Sequence, residues 1–171
     1  MSGSCRAKKK HSGPLDRAKR IDLLIEAAKR EPSLRIVITG EGPDRERLES
    51  LASGLNGQVE FVGRVDDERL ADLYARSLAV YYAPLDEDFG MVPYEAFLSG
   101  KPVVTTIDAG GPLEVVHDRE TGVVVAPDAA EIARAAVYLG EHADEAKAWG
   151  SAGKAIAERV TWDACVDALL A

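Results

Sequence analysis

The sequence contains only two cysteines, Cys5 and Cys165, and they lie near opposite ends of its 171 residues. So few and so widely separated cysteines argue against a disulfide-rich scaffold and suit a reducing cytoplasm, where we expect the protein to be located. No apolar run approaches the roughly 18–20 residues needed to span a bilayer. No apolar segment follows the N-terminal charges either, so the sequence predicts neither a transmembrane helix nor a signal peptide.

The sequence also lacks the spacings that mark common catalytic and metal sites. Its cysteines and histidines are not spaced as metal ligands are, and no Walker lysine motif is present. His11, His117 and His142 are scattered, and no nucleophile lies near them in sequence. We therefore expect no metal site, and we interpret these histidines as surface or structural residues.

A dinucleotide-binding fingerprint is incomplete. The segment "GEGPDR" begins like one, with Gly40 and Gly42 after a predicted strand, but Arg45 stands where the third glycine is required. A tight turn with Pro43 in the first turn of a helix is the better interpretation. NAD binding is the weaker alternative.

The composition is that of a soluble globular protein, with 46% apolar and 29% charged residues. The length predicts a single domain that is large enough to bury a core. Residues 1–20 contain seven Lys or Arg residues and one Asp, although the whole chain has a formal net charge of −8. The acidic body argues against a nucleic acid partner. We interpret the basic N-terminal stretch as a solvated tail, with contact to anions as the alternative.

Short β-branched segments alternate with helical patterns along the chain. A helix is predicted where apolar residues follow the i, i+3, i+4, i+7 spacing, at Ile21, Leu24, Ile25 and Ala28. Asp66 is placed as an N-cap, and residues 128–170 are typical of two or three helices. Buried strands are predicted at residues 35–39, 59–62, 79–83, 102–106 and 122–126. This alternation predicts an α/β fold, a three-layer Rossmann-like doubly wound parallel sheet of five or six strands with helices on both faces.

Ligands of such sheets bind beyond the carboxyl ends of the strands. The segment "DEDFGMVPYEAFLSGKPVV" (86–104) follows the third predicted strand and places Glu87 and Glu95 eight residues apart. We expect Glu87 in the loop at the ligand edge and Glu95 about two turns into the next helix. Gly90 lets backbone approach a ligand and opens the helix N-terminus, where free N–H groups favour phosphate. Acidic residues also stabilise ordinary helix starts, so the spacing alone is weak evidence for a site.

The longer segment "APLDEDFGMVPYEAFLSGKPVVTT" resembles the Glu-x7-Glu signature of glycosyltransferase family 4, a group of retaining GT-B enzymes that use nucleotide sugars. Further segments, such as "KRIDLLIEAAKREPSLRIVITGEGPDRERLESLA" and "DAGGPLEVVHDRETGVVVAPDAAEIARA", are similar to successive parts of that family's C-terminal domain. The resemblance implies a donor-binding domain over residues 15–171, preceded by a basic leader over residues 1–14.

The resemblance also implies roles for matching positions. Glu87 would face the donor sugar as the catalytic residue, and Glu95 would bind the ribose hydroxyls, since carboxylates are strong paired acceptors. Lys19 would pair with the phosphates; a lysine and a helix N-terminus can stabilise a leaving diphosphate without a metal or cofactor. The other implied donor-binding residues are Gly63, Arg64 and Val65 near the base, Phe89, Gly90, Met91 and Val92 near the sugar and diphosphate, and Gly110 and Gly111 near the sugar.

The sequence departs from the family pattern at its start. Pro14 stands where a phosphate-binding arginine is expected, and a basic segment replaces the apolar first strand, although Arg17 and Arg20 lie nearby. A chain of 171 residues also has room for only one of the two GT-B domains, and the N-terminal one carries the acceptor site. We therefore expect weak donor binding and no sugar transfer by this chain alone.

The resemblance thus predicts the donor half of an enzyme that transfers a hexosyl group from a nucleotide diphosphate sugar to an acceptor hydroxyl. Its partners would be the nucleotide sugar and a separate or missing acceptor domain. Two alternatives stay open: a non-enzymatic nucleotide-binding or interaction module, and one subunit of a split glycosyltransferase. The sequence predicts neither the base, the sugar nor the acceptor, and it leaves peripheral contact with a membrane open.

Overall fold

This computed structural model describes residues 14–55 and 57–160. The predicted leader, apart from Pro14, therefore lies outside the described residues, as do Cys5, Cys165 and the end of the C-terminal helical region. The replaced first strand also falls on residues outside this part of the chain.

The described chain alternates strands and helices as predicted. The strands are β1 (Ile36–Thr39), β2 (Val59–Gly63), β3 (Val80–Tyr81), β4 (Val103–Thr106) and β5 (Gly122–Val125). The helices are α1 (Ile21–Arg30), α2 (Arg45–Leu51), α3 (Asp67–Arg76), α4 (Val92–Leu98), α5 (Ala129–Glu141) and α6 (Ala143–Ala157). Short 3-10 helices lie at Arg17–Lys19 and Gly111–Glu114.

All strand pairs are parallel, but they form two sheets where one sheet was predicted. β1 pairs with β2, and β3, β4 and β5 pair in that order. Within the described residues β1 and β3 each pair on one side only. The basic segment that replaces the family's first strand lies outside the described residues. The described strands therefore form two sheets and not the single sheet that was predicted.

Helix α1 connects the two sheets. On one side Ile25 and Ala28 pack with Ile36 and Ile38 of β1. On the other side, Ala27 belongs to a cluster that Tyr81 and Val125 of the three-stranded sheet contact. The apolar stripe predicted for this helix is therefore confirmed, and burial on two sides fixes the position of the helix N-terminus.

Helices cover both faces of β4, all four residues of which are buried. Val103 packs with Ala96 and Phe97 of α4, whereas Val104 packs with Leu139 of α5 and Trp149 of α6. A parallel strand buried on both faces is what its continuous apolar sequence predicts. The architecture is thus the predicted three-layer arrangement.

One helix start was predicted correctly and one was not. Asp66 caps α3 by accepting a hydrogen bond from the Arg69 N–H at 2.8 Å. Pro43 does not lie in the first turn of α2, which begins at Arg45. Residues 43 and 44 form a turn before this helix, and the Asp44 N–H donates to the Leu15 carbonyl at 3.0 Å.

Candidate functional site

Lys19 and Glu87 meet at the carboxyl edge of the three-stranded sheet. Lys19 ends the 3-10 helix Arg17–Lys19, which Asp16 caps by accepting from the Lys19 N–H at 3.2 Å. The Lys19 ammonium forms an ion pair with Oε2 of Glu87, which follows β3 in the chain. The structure therefore brings together two predicted site residues that are 68 positions apart in sequence.

Tyr82 is the third member of this cluster. Its hydroxyl donates to Oε2 of Glu87 at 3.1 Å and lies 3.5 Å from the Lys19 Nζ. The hydrogen bond from Lys19 is the main cause that lowers the pKa of the Glu87 carboxyl. Burial alone would lower the pKa of Lys19, but the contacts with Glu87 and Tyr82 raise it overall. Lys19 and Glu87 are therefore both charged at neutral pH.

Arg20 positions Lys19 through contacts with both neighbouring loops. Its guanidinium makes a bidentate ion pair with Asp108 at 2.8 Å and donates to Thr106 Oγ1 at 2.6 Å. It also donates to the carbonyl oxygens of Ala83 and Pro84 at 2.8 and 2.7 Å. The donors of Arg20 thus bind protein groups, which argues against Arg20 as a substitute for the phosphate-binding arginine expected at position 14. The ion pair also lowers the pKa of Asp108 to about 2.

The loops that follow β3 and β4 are hydrogen-bonded to each other. The Glu87 N–H donates to the Ala109 carbonyl at 3.0 Å, and the Gly111 N–H donates to the Glu87 carbonyl at 2.7 Å. A Cβ atom on Gly110 would lie 2.6 Å from the Glu87 carbonyl oxygen, and one on Gly111 would lie 2.2 Å from that of Asp88. The glycine pair is thus required for the close approach of the two loops. Its contact with a sugar stays a prediction.

Gly90 has a φ of 66°, in the left-handed region that favours glycine. A Cβ atom here would lie 2.7 Å from the Tyr82 ring. Phe89 and Met91 flank this turn and are 47% and 57% exposed, and Phe89 stacks on Tyr94 at 5.3 Å between ring centroids. The predicted contacts of residues 89–92 with a ligand thus fall on accessible chain at the sheet edge.

Glu95 lies one turn into α4, and the predicted depth of about two turns was wrong. α4 begins at Val92, because the turn at Gly90 delays the helix start, so Glu95 is in the first turn. The Tyr74 hydroxyl of α3 donates to Glu95 Oε2 at 3.0 Å. Burial and the Glu95 charge raise the pKa of Tyr74, which therefore keeps its proton.

Gly63, Arg64 and Val65 lie at the end of β2, on the carboxyl edge of the two-stranded sheet. Gly63 is buried with φ of 68°, and its carbonyl accepts from the Gly40 N–H at 2.7 Å. Arg64 is exposed. The predicted site residues therefore lie at the carboxyl end of a strand or in the loop or first helical turn that follows it. Lys19 is the exception, since it lies in a 3-10 helix and reaches the loop after β3 through Glu87.

The sequence argument missed four residues that organise this edge. Tyr82 and Tyr74 hold the two glutamates, and the Arg20–Asp108 pair ties the Lys19 segment to the β4 loop. The partners are 5 to 88 positions apart in sequence. The available signal was the place of Tyr82 near the end of one predicted strand and of Asp108 just after another.

The described residues give no sign of a metal centre or a membrane span. Within residues 14–55 and 57–160, no three His, Cys, Asp or Glu side chains are grouped as metal ligands would be. In the same part of the chain, no helix has the length and apolar content needed to cross a bilayer.

Sequence comparison decides the family. The profile described as "Glycosyl transferases group 1" matches residues 11–156. The chain belongs to the glycosyl transferases group 1 family. The chain is 37% identical to the phosphatidyl-myo-inositol mannosyltransferase of Mycobacterium leprae over 132 residues, which cover 75% of this chain and 34% of that protein. It is 33% identical to the D-inositol 3-phosphate glycosyltransferase of Mycobacterium avium over 168 residues, which cover 93% of this chain and 39% of that protein.

Solved structures of glycosyltransferases and related enzymes have the same fold. The sucrose-phosphate synthase of Thermosynechococcus elongatus matches with a TM-score of 0.84 and 30% identity, over 92% of this chain and 43% of that one. Anabaena HepE in complex with UDP and glucose matches with a TM-score of 0.79 and 26% identity, over 92% and 45%. The C-terminal domain of the LpcC protein of Francisella tularensis matches with a TM-score of 0.75 and 26% identity, over 87% and 83%.

These comparisons confirm the predicted fold class, a GT-B glycosyltransferase domain. The chain spans about a third of the length of the curated relatives described above. It covers most of the crystallised C-terminal domain of LpcC. The group 1 domain is thus the part of the relatives that this chain matches.

Proposed function

We propose that this group 1 domain binds the nucleotide diphosphate sugar donor of a retaining family 4 glycosyltransferase. The observation that carries the proposal is the Lys19–Glu87 pair, a cation and a carboxylate held together at the carboxyl edge of the sheet. This edge is where parallel α/β sheets bind their ligands. The complex of HepE with UDP and glucose supports a nucleotide sugar as the ligand class.

Each end of the donor has groups of suitable chemistry at this edge. Lys19 would contact the diphosphate together with backbone N–H groups of residues 89–92, without a metal ion. Glu87 would accept hydrogen bonds from the sugar, and Glu95 from the ribose hydroxyls. Gly63, Arg64 and Val65 would border the base. A chelator should therefore leave donor affinity unchanged.

The whole enzyme would transfer a hexosyl group to an acceptor hydroxyl and retain the anomeric configuration. Breaking the sugar–phosphate bond places negative charge on the leaving diphosphate, and Lys19 would stabilise that charge. The acceptor would bind to a part of the enzyme outside the group 1 domain, on the same or a separate polypeptide, since the relatives are more than twice as long as this chain. The cytoplasmic location stays a prediction.

Binding is tested by calorimetric titration with UDP-glucose, GDP-mannose and ADP-glucose and with the matching diphosphates. We expect one nucleotide to bind, and Lys19→Ala to weaken it about tenfold or more, because a charge-assisted contact is lost. Lys29→Ala is the matched control, since Lys29 also pairs with a glutamate, Glu26 at 2.8 Å, but on α1. No binding in the millimolar range, or equal weakening by both changes, would overturn the proposal.

Catalysis is tested by incubating the chain with each donor and a broad acceptor set, and by mass spectrometry of the products. We expect no transfer, because an open site leaves the reacting groups unaligned and exposed to water. Turnover at about 1 per second or faster, an ordinary enzymatic rate, would show that this domain is a complete catalyst. Transfer that appears only after a second chain is added would indicate a split enzyme.

A further inference from the structure

Tyr82 contacts three of the residues that the donor site is proposed to use. Its hydroxyl donates to Oε2 of Glu87 at 3.1 Å and lies 3.5 Å from the Lys19 Nζ. Its ring fills the space that a side chain at position 90 would need, 2.7 Å from a Cβ built on Gly90. One side chain therefore links the carboxylate, the lysine and the glycine turn.

The Tyr82 ring is fixed by the sheet and by the core. The Tyr82 N–H donates to the Val104 carbonyl at 3.0 Å, which continues the pairing of β3 with β4. The ring packs against the core cluster that contains Phe97 and Val103. Burial raises the pKa of the Tyr82 hydroxyl, so it keeps the proton that it donates to Glu87.

We propose that Tyr82 is a positioning residue of the donor site, which keeps the Glu87 carboxylate directed at the donor sugar when Lys19 turns to the diphosphate. The inference rests on the donor-binding function proposed above. It names a residue that acts through Glu87 and does not itself contact the reacting atoms.

The reasoning follows from the charges at the site. Among the described residues, the Glu87 carboxylate has two side-chain partners, Lys19 and Tyr82. The ion pair with Lys19 is partly exposed, with side-chain exposures of 20% and 28%. A diphosphate carries more negative charge than a carboxylate, so it competes for the lysine. The Tyr82 hydroxyl is then the contact that keeps Glu87 in one orientation, and an ordered acceptor costs less entropy to engage.

A second tyrosine provides a matched control. The Tyr138 hydroxyl of α5 donates to Glu145 of α6 at 2.9 Å and accepts from Arg119 at 3.2 Å. This trio has the same chemistry, a tyrosine between a carboxylate and a cation, but it lies outside the proposed donor site. Removing either hydroxyl by substitution with phenylalanine deletes one hydrogen bond to a glutamate and keeps the ring.

The experiment measures how much the sugar adds to nucleotide affinity. Calorimetry gives the dissociation constants of UDP and UDP-glucose, of GDP and GDP-mannose, and of ADP and ADP-glucose, and the ratio within the pair that binds is the readout. The proteins are wild type, Tyr82→Phe, Tyr138→Phe, Glu87→Ala and the double variant Tyr82→Phe/Glu87→Ala. A ratio is insensitive to a general loss of structure, which affects both ligands alike.

We expect Tyr82→Phe to weaken the nucleotide sugar about three- to tenfold, the usual effect of losing one partly exposed hydrogen bond to a charged group. The bare diphosphate should change less than about twofold, and Tyr138→Phe should change neither ligand. In the Glu87→Ala background, Tyr82→Phe should have no further effect on the ratio, because Tyr82 acts through Glu87.

Three results would overturn the inference. An unchanged ratio in Tyr82→Phe would show that the hydroxyl does not position Glu87. Equal weakening of diphosphate and nucleotide sugar would give Tyr82 a general structural role. An additive effect in the double variant would show that Tyr82 acts independently of Glu87. If wild type binds none of the six ligands, the donor-binding function itself fails and this inference falls with it.

Discussion

At the ends of β3 and β4, the side chains and loops of the proposed site residues are bonded to one another, whereas at the end of β2 Gly63 makes a backbone hydrogen bond with Gly40 and Arg64 is exposed. Glu87 has Lys19 and Tyr82 as side-chain partners and exchanges backbone hydrogen bonds with the Gly110 loop. Arg64, by contrast, extends into solvent. The region proposed to bind the sugar and diphosphate is thus held by contacts within the protein, and the region proposed to border the base is more open.

This difference indicates where substitutions should have large effects. A preorganised group loses both its ligand contact and its support to neighbouring loops when it is changed. An exposed group loses at most a solvent-screened contact. The predictions below compare equivalent changes in the two regions, beginning with the change that is expected to cost most.

The largest loss of stability is expected when a glycine in the loops after β3 and β4 is replaced by alanine. In Gly111→Ala, the new Cβ would lie 2.2 Å from the Asp88 carbonyl oxygen, so backbone must move. We expect the free energy of unfolding to fall by about 3 kcal/mol or more. In Gly63→Ala the nearest atom belongs to the Glu41 side chain, which can shift, and the remaining cost is φ of 68°. That cost is about 1–2 kcal/mol.

Urea denaturation of the two glycine variants measures this difference. Equal losses at both positions would contradict the view that the β3 and β4 loops are the more tightly packed part of the edge.

Loss of Arg20 should rank next. Arg20→Ala leaves Asp108 without its bidentate partner, and the arginine side chain is only 14% exposed. We expect a loss of about 2–3 kcal/mol, below the usual range for a fully buried pair because Asp108 is 36% exposed. Arg45→Ala, which removes the more exposed ion pairs with Glu41 and Glu49, should cost much less. Urea denaturation again gives both values, and a larger loss for Arg45→Ala would reverse the comparison.

The Arg20–Asp108 pair also predicts a pH dependence. The pKa of Asp108 is held at about 2 in the folded protein, below its ordinary 3.8, so the stabilisation is complete above about pH 4–5 and is lost as pH falls through about 2. Wild type should lose about 1 kcal/mol over this window that Asp108→Asn does not lose, after allowance for the partial exposure of the carboxylate.

Thermal or urea unfolding at several pH values follows this difference between wild type and Asp108→Asn. A difference in stability that stays constant from about pH 5 to about pH 2 would show that the Asp108 pKa is not depressed in the folded state.

The strands and helix α1 could be predicted because their apolar patterns are local. Five predicted strands appear within a few residues of their expected positions, and Asp66 caps α3 as its place before a helical pattern indicates. The position of Glu87 at the carboxyl edge follows from the same local pattern, because a residue just after a parallel strand lies at the carboxyl end of that strand.

The contacts that hold the site could not be predicted in the same way. Arg20 reaches Asp108 across 88 positions, and nothing in its local sequence distinguishes it from an exposed arginine. The start of α4 was misplaced because the left-handed turn at Gly90 uses residues that a helical pattern would include. Long-range pairing and backbone turns thus account for what was missed.

Titration of the bare nucleotide diphosphate into wild type, Glu95→Ala and Glu87→Ala tests the central claim most directly. Glu145→Ala is the control, since Glu145 also accepts a tyrosine hydroxyl in the first turn of a helix, at 2.9 Å. We predict that Glu95→Ala weakens the diphosphate about ten- to a hundredfold, because the ribose contacts are lost. Glu87→Ala should change it less than about threefold, and Glu145→Ala should leave it unchanged, because neither residue is proposed to contact ribose. Equal weakening by the two site variants, or no weakening by Glu95→Ala, would contradict the account.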